Sequence, residues 1–243
     1  MTGNGHANGV VRGENPRDLP RRAGVVVIGA GVNGLSTAFQ LAKRGARDMV
    51  VLERRHLGSG ATGKSGALVR CHYANVPEAQ LTHESLRVFR NWDEEVGAGS
   101  PGFAPIGFVQ VVAPEHEERL RQNVADQQAL GIDTRVVDRE ELREIDPFLY
   151  TGDLAVAAYE PGSGFADPNA TLHGFARAAR DLAVRVFEEA PATSIQTTGG
   201  RVSGVETPLG TIETDTVLVA AGSWADRLLV PLGLDLGLQP VRT

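Results

Sequence analysis

Apolar positions change their period several times along this chain, and each change marks an element. Gly24 to Ile28 is a continuous run rich in valine, the pattern of a strand covered on both faces of a parallel sheet. After a glycine-rich break, Leu35, Ala38, Leu41 and Ala42 recur at three- and four-residue spacing, which predicts a helix. Lys43 and Arg44 fall in its last turn and Gly45 stops it. Met49 to Leu52 is a second buried strand. Strand, helix and strand within about thirty residues make a βαβ unit, with a right-handed crossover expected.

The middle of the chain mixes both periods. Pro77 to Val96 reads as a helix with Leu81, Leu86, Phe89 and Trp92 on a core stripe, and Ile106 to Val112 as a strand. Glu115 to Leu130 and Glu140 to Ile145 read as helices, and Leu154 to Tyr159 as a strand. Asp167-Pro168 then opens a helix through Ala170, Leu172, Phe175 and Ala179, and Val184 to Phe187 returns a strand to the first sheet. Strand-like pieces follow at Ala192 to Gln196, Val202 to Glu206 and Thr211 to Glu213. The chain thus leaves its first domain and comes back.

The glycine-rich break carries the first chemistry. In Gly29-Ala30-Gly31-Val32-Asn33-Gly34, Gly29 permits a tight turn, Gly31 lets the backbone approach a pyrophosphate, and Gly34 allows the helix to pack close on the strand. The helix N-terminus then faces the phosphates with its free N–H groups and positive dipole end. Glu53 ends the second strand nineteen residues after Gly34, where a carboxylate accepts from both ribose hydroxyls and disfavours a 2′-phosphate. Because strand, triplet, helix and acid occur in register, a dinucleotide site is expected.

Composition narrows the class. The net charge of −6 over 243 residues is spread along the chain, so no basic face points to nucleic acid. Cys71 is the single cysteine, which excludes an intrachain disulfide and fits a cytoplasmic setting. His56, His83, His116 and His173 show no ligand spacing with Cys or acidic partners, and no metal is expected. No stretch approaches the roughly 20 apolar residues of a membrane span. Residues 1–21 lack an apolar period and are expected to form a flexible tail.

What surrounds the triplet brings a family resemblance. Gly29-x-Gly31-x-x-Gly34-x-x-x-Ala38-x-x-Leu41-x-x-x-Gly45, followed by Glu53-Arg54, resembles the extended flavoprotein signature. Gly58-Ser59-Gly60-Ala61-Thr62-Gly63-Lys64-Ser65-Gly66, then Val69-Arg70-Cys71-His72-Tyr73, resembles the flavin-contacting loop of the D-amino-acid-oxidase-like family. Its sarcosine oxidase β subunits and dimethylglycine oxidoreductases are the nearest in pattern. Thr216 to Trp224 resembles that family's second FAD strand and turn.

The resemblance implies an α/β fold: a Rossmann-type FAD-binding domain, mainly a parallel sheet with an antiparallel meander, carrying an inserted, incomplete α+β substrate domain. Residues 22–78 and 162–232 would form the FAD domain, 79–161 the substrate-domain portion, and 233–243 the start of a further half that the family carries. It implies FAD as cofactor, held by Gly29, Gly31, Val32, Asn33, Gly34, Glu53, Arg54, Thr62, Lys64, Ser65, Ala221, Gly222 and Trp224. It implies oxidation of a secondary or tertiary amine or amino acid by hydride transfer to the flavin, with hydrolysis of the imine product. A non-catalytic FAD-binding piece, or a subunit of a split or multisubunit enzyme, is the alternative.

Three residues are expected in the catalytic region. Arg70 matches the position where the family holds the substrate carboxylate, a task suited to a guanidinium fork. A surface arginine paired with an acid is its other reading. His72 and Tyr73 either line the flavin face or pack within the loop. The stretch Asp167-Pro168-Asn169 stands where heterotetrameric relatives place a histidine carrying covalent FMN, so a second, covalent flavin is not implied. The expected partners are a small amine or amino-acid substrate and further subunits or a C-terminal half.

Overall fold

The computed structural model describes residues 14, 15, 18–152, 154 and 156–239. Its strands are β1 (Val25–Ile28), β2 (Met49–Leu52), β3 (Leu68–Val69), β4 (Phe108–Val111), β5 (Arg135–Asp138), β6 (Val156–Glu160), β7 (Gly164–Phe165), β8 (Arg185–Phe187), β9 (Ser194–Thr198), β10 (Arg201–Thr207), β11 (Gly210–Glu213) and β12 (Val217–Val219). Its helices are α1 (Val32–Lys43), α2 (Val76–Arg90), α3 (Trp92–Glu95), α4 (Glu117–Ala129), α5 (Arg139–Ile145), α6 (Pro168–Asp181) and α7 (Asp226–Leu229). Two compact units divide them. One holds residues up to Ser65, Val96–Pro101 and the chain from Pro168 on; the other holds Gly66–Glu95 and Gly102–Asp167.

The first unit is built on a parallel sheet of order β12-β1-β2-β8. Every residue of β2 is buried, which is why its sequence is unbroken apolar rather than alternating. On one face α1 packs beside α6 through Leu35, Ala38, Phe39 and Ala42, with the Phe39 and Phe175 rings 5.9 Å apart. On the other, Val26, Ile28, Val50, Leu52 and Phe187 form a core with Ile195, Val205 and Ile212 of the antiparallel meander β9-β10-β11. Phe187 is fully buried at the centre of that core, and Phe187→Ala would cost about 3–5 kcal/mol.

The expected flexible tail is corrected in part. The Glu14 N–H donates to the Val186 carbonyl, Arg185 pairs with Glu14, and the Arg21 carbonyl accepts the Glu213 N–H, so these residues of the tail are tied to neighbouring strands by hydrogen bonds. Residues 1–13, 16 and 17 of that tail lie outside the described residues, as do 240–243.

The second unit carries an antiparallel sheet of order β4-β6-β5 and a two-stranded ladder of β3 with β7. Leu120 and Val124 of α4 pack on Val156 and Ala158. Val137, Leu142 and Ala157 form a separate cluster. The Asn75 side chain caps α2 through the Glu78 N–H, and Asp138 caps α5 through two N–H groups.

Several element readings change here. The helix expected over 77–96 is two helices, broken at Asn91, and Leu81 is 70% exposed rather than core. Leu86 and Trp92 are buried as expected. Ile106 lies outside β4 and is 72% exposed. The pattern also shows no sign of β5, because Val136 and Val137 are its only apolar residues, set between Arg135 and Asp138. The loop from Arg54 to Tyr73 contains a 3₁₀ turn at Thr62–Lys64 and the short strand β3.

Candidate functional site

In the first unit the turn after β1 and the start of α1 form a cradle. Gly29 has φ +109°, and a Cβ there would lie 2.4 Å from the Ala220 carbonyl oxygen, so only glycine fits where the chain leaves β1 beside the end of β12. A Cβ on Gly34 would lie 1.9 Å from the Gly29 carbonyl oxygen, which keeps the first turn of α1 against the strand end. At Gly31 a Cβ would meet nothing closer than Thr62 Oγ1 at 3.2 Å. Its bareness serves an approach from outside rather than the packing of the turn itself.

Gly31 caps α1 without a side chain, and the first intrahelical bond runs from the Leu35 N–H to the Gly31 carbonyl. The first-turn N–H groups of Val32, Asn33 and Gly34 therefore have no acceptor within the helix. Thr62 Oγ1 accepts the Val32 N–H at 3.1 Å, acting as a cap supplied from a distant loop. No acidic residue stands in the first turn, so the dipole end stays electropositive.

Glu53 follows β2 and is buried. Its Oε2 accepts the Ala30 N–H at 3.0 Å, and its Oε1 accepts the Arg55 N–H at 2.9 Å and the Ser59 hydroxyl at 3.1 Å. These donors are neutral and leave acceptor capacity on both oxygens. Arg54 is exposed and its guanidinium lies over the Trp224 ring, 5.3 Å from the centroid. Ala221 and Gly222 begin the 3₁₀ turn after β12, with Gly222 at φ +56°. Lys64 and Ser65 are exposed at the end of the Thr62 turn.

An anion-binding helix start beside a hydroxyl-accepting carboxylate is the donor set that a pyrophosphate and its ribose require. The residues present thus fit the adenosine-diphosphate part of FAD. The structure brings together Gly29, Gly31, Val32, Asn33, Gly34, Glu53 and Thr62 around that cradle.

Arg70, His72 and Tyr73 belong to the second unit, in the irregular segment after β3. The Arg70 guanidinium is half-buried between two rings, 4.6 Å from the Tyr73 centroid and 5.1 Å from that of Phe108. Its Nη1 donates to the His72 carbonyl, and it forms no ion pair among the described residues. The reading as a surface arginine paired with an acid is therefore not what the fold places here. His72 is buried, and burial first, then the Arg70 charge, push its imidazole below the usual range, opposed by the facing Gln127 amide. It is held neutral near neutral pH.

Residues the sequence reading passed over support this segment. Gln127 of α4 donates its Nε2 to the Tyr73 carbonyl at 3.2 Å, Phe108 of β4 supplies one of the two rings, and Glu160 of β6 accepts the Cys71 N–H at 2.9 Å. Glu160 had a signal in the sequence: an acid closing an apolar strand before Pro161-Gly162. Gln127 had a weaker one: it stands seven residues after Leu120 and three after Val124, on the buried stripe of α4.

The fold and the cradle define a dinucleotide-binding α/β protein of the flavoprotein type. The chain matches the family described as FAD dependent oxidoreductase over residues 24–243 and belongs to it. It is 29% identical to dimethylglycine dehydrogenase of Rattus norvegicus over 94% of this chain and 27% of that protein. It is 27% identical to the sarcosine oxidase β subunit of Rhodobacter capsulatus over 90% of this chain and 54% of the relative. Among solved structures, L-proline dehydrogenase from P. horikoshii superposes with a TM-score of 0.83 at 28% identity, covering 89% of this chain and 57% of the other. The chain thus spans between about a quarter and three-fifths of the length of these proteins. The family's cofactor is FAD. Among the described residues no helix is long and apolar enough to cross a membrane, and no cluster of potential metal ligands occurs.

Proposed function

We propose that this chain carries the FAD-binding and substrate-orienting parts of an oxidoreductase acting on the C–N bond of a small secondary or tertiary amine or amino acid, of the sarcosine, dimethylglycine or D-amino-acid class. The chemistry FAD supplies when bound is acceptance of a hydride at flavin N5 from the carbon next to nitrogen. The first turn of α1, with Gly29, Gly31, Val32, Asn33 and Gly34, holds the pyrophosphate, and Glu53 the ribose hydroxyls. Arg54, Thr62, Lys64, Ser65, Ala221, Gly222 and Trp224 complete the cofactor contacts. Arg70 holds the substrate carboxylate in a fork, while His72 and Tyr73 shape the pocket beside it.

The observation that carries this reading is the state of Arg70. A guanidinium set between two aromatic rings, without an acidic partner, keeps its charge for an anionic ligand. The test is anaerobic titration of the FAD-loaded chain with sarcosine, dimethylglycine and a D-amino acid, following the flavin's visible absorbance. Bleaching by one of them is expected, and bound flavin that none of them bleaches would overturn the reading. A second reading, a flavin-binding subunit or part of a larger enzyme, draws on the relative whose name is that of a subunit. It predicts FAD binding without bleaching by this chain alone.

A further inference from the structure

The segment Arg70 to Tyr73 has no strand or helix of its own, yet it must present a guanidinium in one place. Its ladder ends at the pair Val69 and Gly164, because the chain enters β7 from the turn Glu160-Pro161-Gly162-Ser163. Beyond that point the Cys71 N–H has no strand carbonyl to meet. Glu160 Oε2 takes it instead, at 2.9 Å, and the same oxygen meets the Ser163 hydroxyl at 2.7 Å. Glu160 is 1% exposed and its Oε1 has no hydrogen-bond partner. Across the sheet its register partner is Phe108, whose ring centroid lies 5.1 Å from the Arg70 guanidinium.

We propose that Glu160 is the positioning residue for Arg70: it fixes the Cys71 peptide by accepting its N–H while its register partner Phe108 packs its ring against the guanidinium. The proposal rests on the reading of Arg70 as the carboxylate holder. An acid so close to a substrate-binding arginine would compete with the substrate if it were charged. Burial raises its proton affinity, against the smaller effects of the Cys71 N–H, the Ser163 hydroxyl and the Arg70 charge. A bare, buried oxygen is also far less costly on a neutral acid than on a carboxylate. Glu160 therefore serves as a hydrogen-bonding acid that orders the segment without neutralising Arg70.

Acetate, with acetamide as the uncharged control, is a sufficient probe, because binding can be measured by calorimetry on the full FAD-loaded chain without turnover. Glu160→Gln keeps an acceptor for Cys71 and Ser163, so acetate affinity is expected within about twofold of the parent. Glu160→Leu keeps the volume and removes the acceptor; acetate binding should weaken about tenfold or more and the Cys71 amide should lose its hydrogen-exchange protection, while FAD content is retained. Unchanged acetate binding in Glu160→Leu would overturn the proposal. So would a tenfold loss in Glu160→Gln, or a tenfold gain, which would mean that a charged Glu160 had been holding Arg70 back. If Glu160→Leu fails to fold, the Glu160→Gln comparison alone decides. Arg70→Lys tests the underlying reading separately: if it binds acetate as well as the parent, Arg70 is not the carboxylate holder, whatever the Glu160 variants do.

Discussion

Glu53 Oε2 accepts the N–H of Ala30 at 3.0 Å, so the acid that ends the second strand is bonded to the turn that ends the first. That bond aims the carboxylate at the cradle and holds it there, which lowers the ordering cost of binding. Removing it in Glu53→Ala takes away the ribose acceptor and the brace on the glycine turn together. FAD affinity should fall by about one to two orders of magnitude, equivalent to about 1.5–3 kcal/mol for bonds to a charged group. Titration by flavin fluorescence quenching measures it, and retention of parent affinity would refute the role of Glu53.

The glycines of the turn separate by the kind of space they protect. A Cβ at Gly34 meets backbone at 1.9 Å, so Gly34→Ala should destabilise the chain by about 3 kcal/mol or more. Gly31 has φ −80° and a Cβ there would meet only Thr62 Oγ1, at 3.2 Å, which must give slightly, so Gly31→Ala should melt much closer to the parent than Gly34→Ala and yet lose FAD binding. Thermal melts of the flavin-free and flavin-loaded forms distinguish the two. Equal melting of both variants would contradict the division.

Thr62 caps α1 from thirty residues away. Thr62→Ala should cost about 1 kcal/mol of stability, while Thr62→Ser, which keeps the hydroxyl, should cost much less. Urea unfolding of both variants is the check.

The buried acid gives stability a pH dependence with a definite sign. Burial lifts Glu160 above its ordinary 4.5, so the folded chain holds that proton more tightly than the unfolded chain. Its contribution is complete below about pH 4.5 and is lost as pH rises through the lifted value. Relative to Glu160→Gln, the parent should lose about 1.4 kcal/mol per pH unit while the group titrates. His72, shifted the opposite way, titrates in both proteins and cancels in the difference. A difference that stays flat from pH 4 to 8 would refute a protonated Glu160.

Cys71 lies next to that acid, and burial, the largest cause, lifts its thiol to about 11. Against an ordinary value of 9.0 the thiolate fraction is down about a hundredfold near pH 8, and the side chain is buried as well. Native protein should therefore be nearly silent to a thiol-disulfide reagent at pH 8 and react fully once unfolded. Fast labelling of the native chain would overturn this picture of the segment.

The cradle was legible in the sequence because each part of it is local. Gly29, Gly31 and Gly34 answer a backbone demand within six residues, and Val25 to Leu52 announces both strands and the helix by period alone. Glu53 could be found because the length of a βαβ unit fixes where the second strand ends. The pattern failed where tertiary contact decides. Leu81 has helical spacing but no neighbour to cover it, and β5 has only two apolar residues between charged ends.

Arg70 could be named from the sequence, but not how it is held. That depends on a ring from β4, a carboxylate from β6 and an amide from α4, brought to one place across separations of up to 89 residues. The sequence by itself determined a dinucleotide cradle and its chemistry, since strand, turn and helix propensities act over short spans. Only the tertiary structure decided that Arg70 forms no ion pair among the described residues and that a buried Glu160 accepts the N–H of the residue after it, because burial and hydrogen-bond partners belong to neighbours in space rather than in sequence.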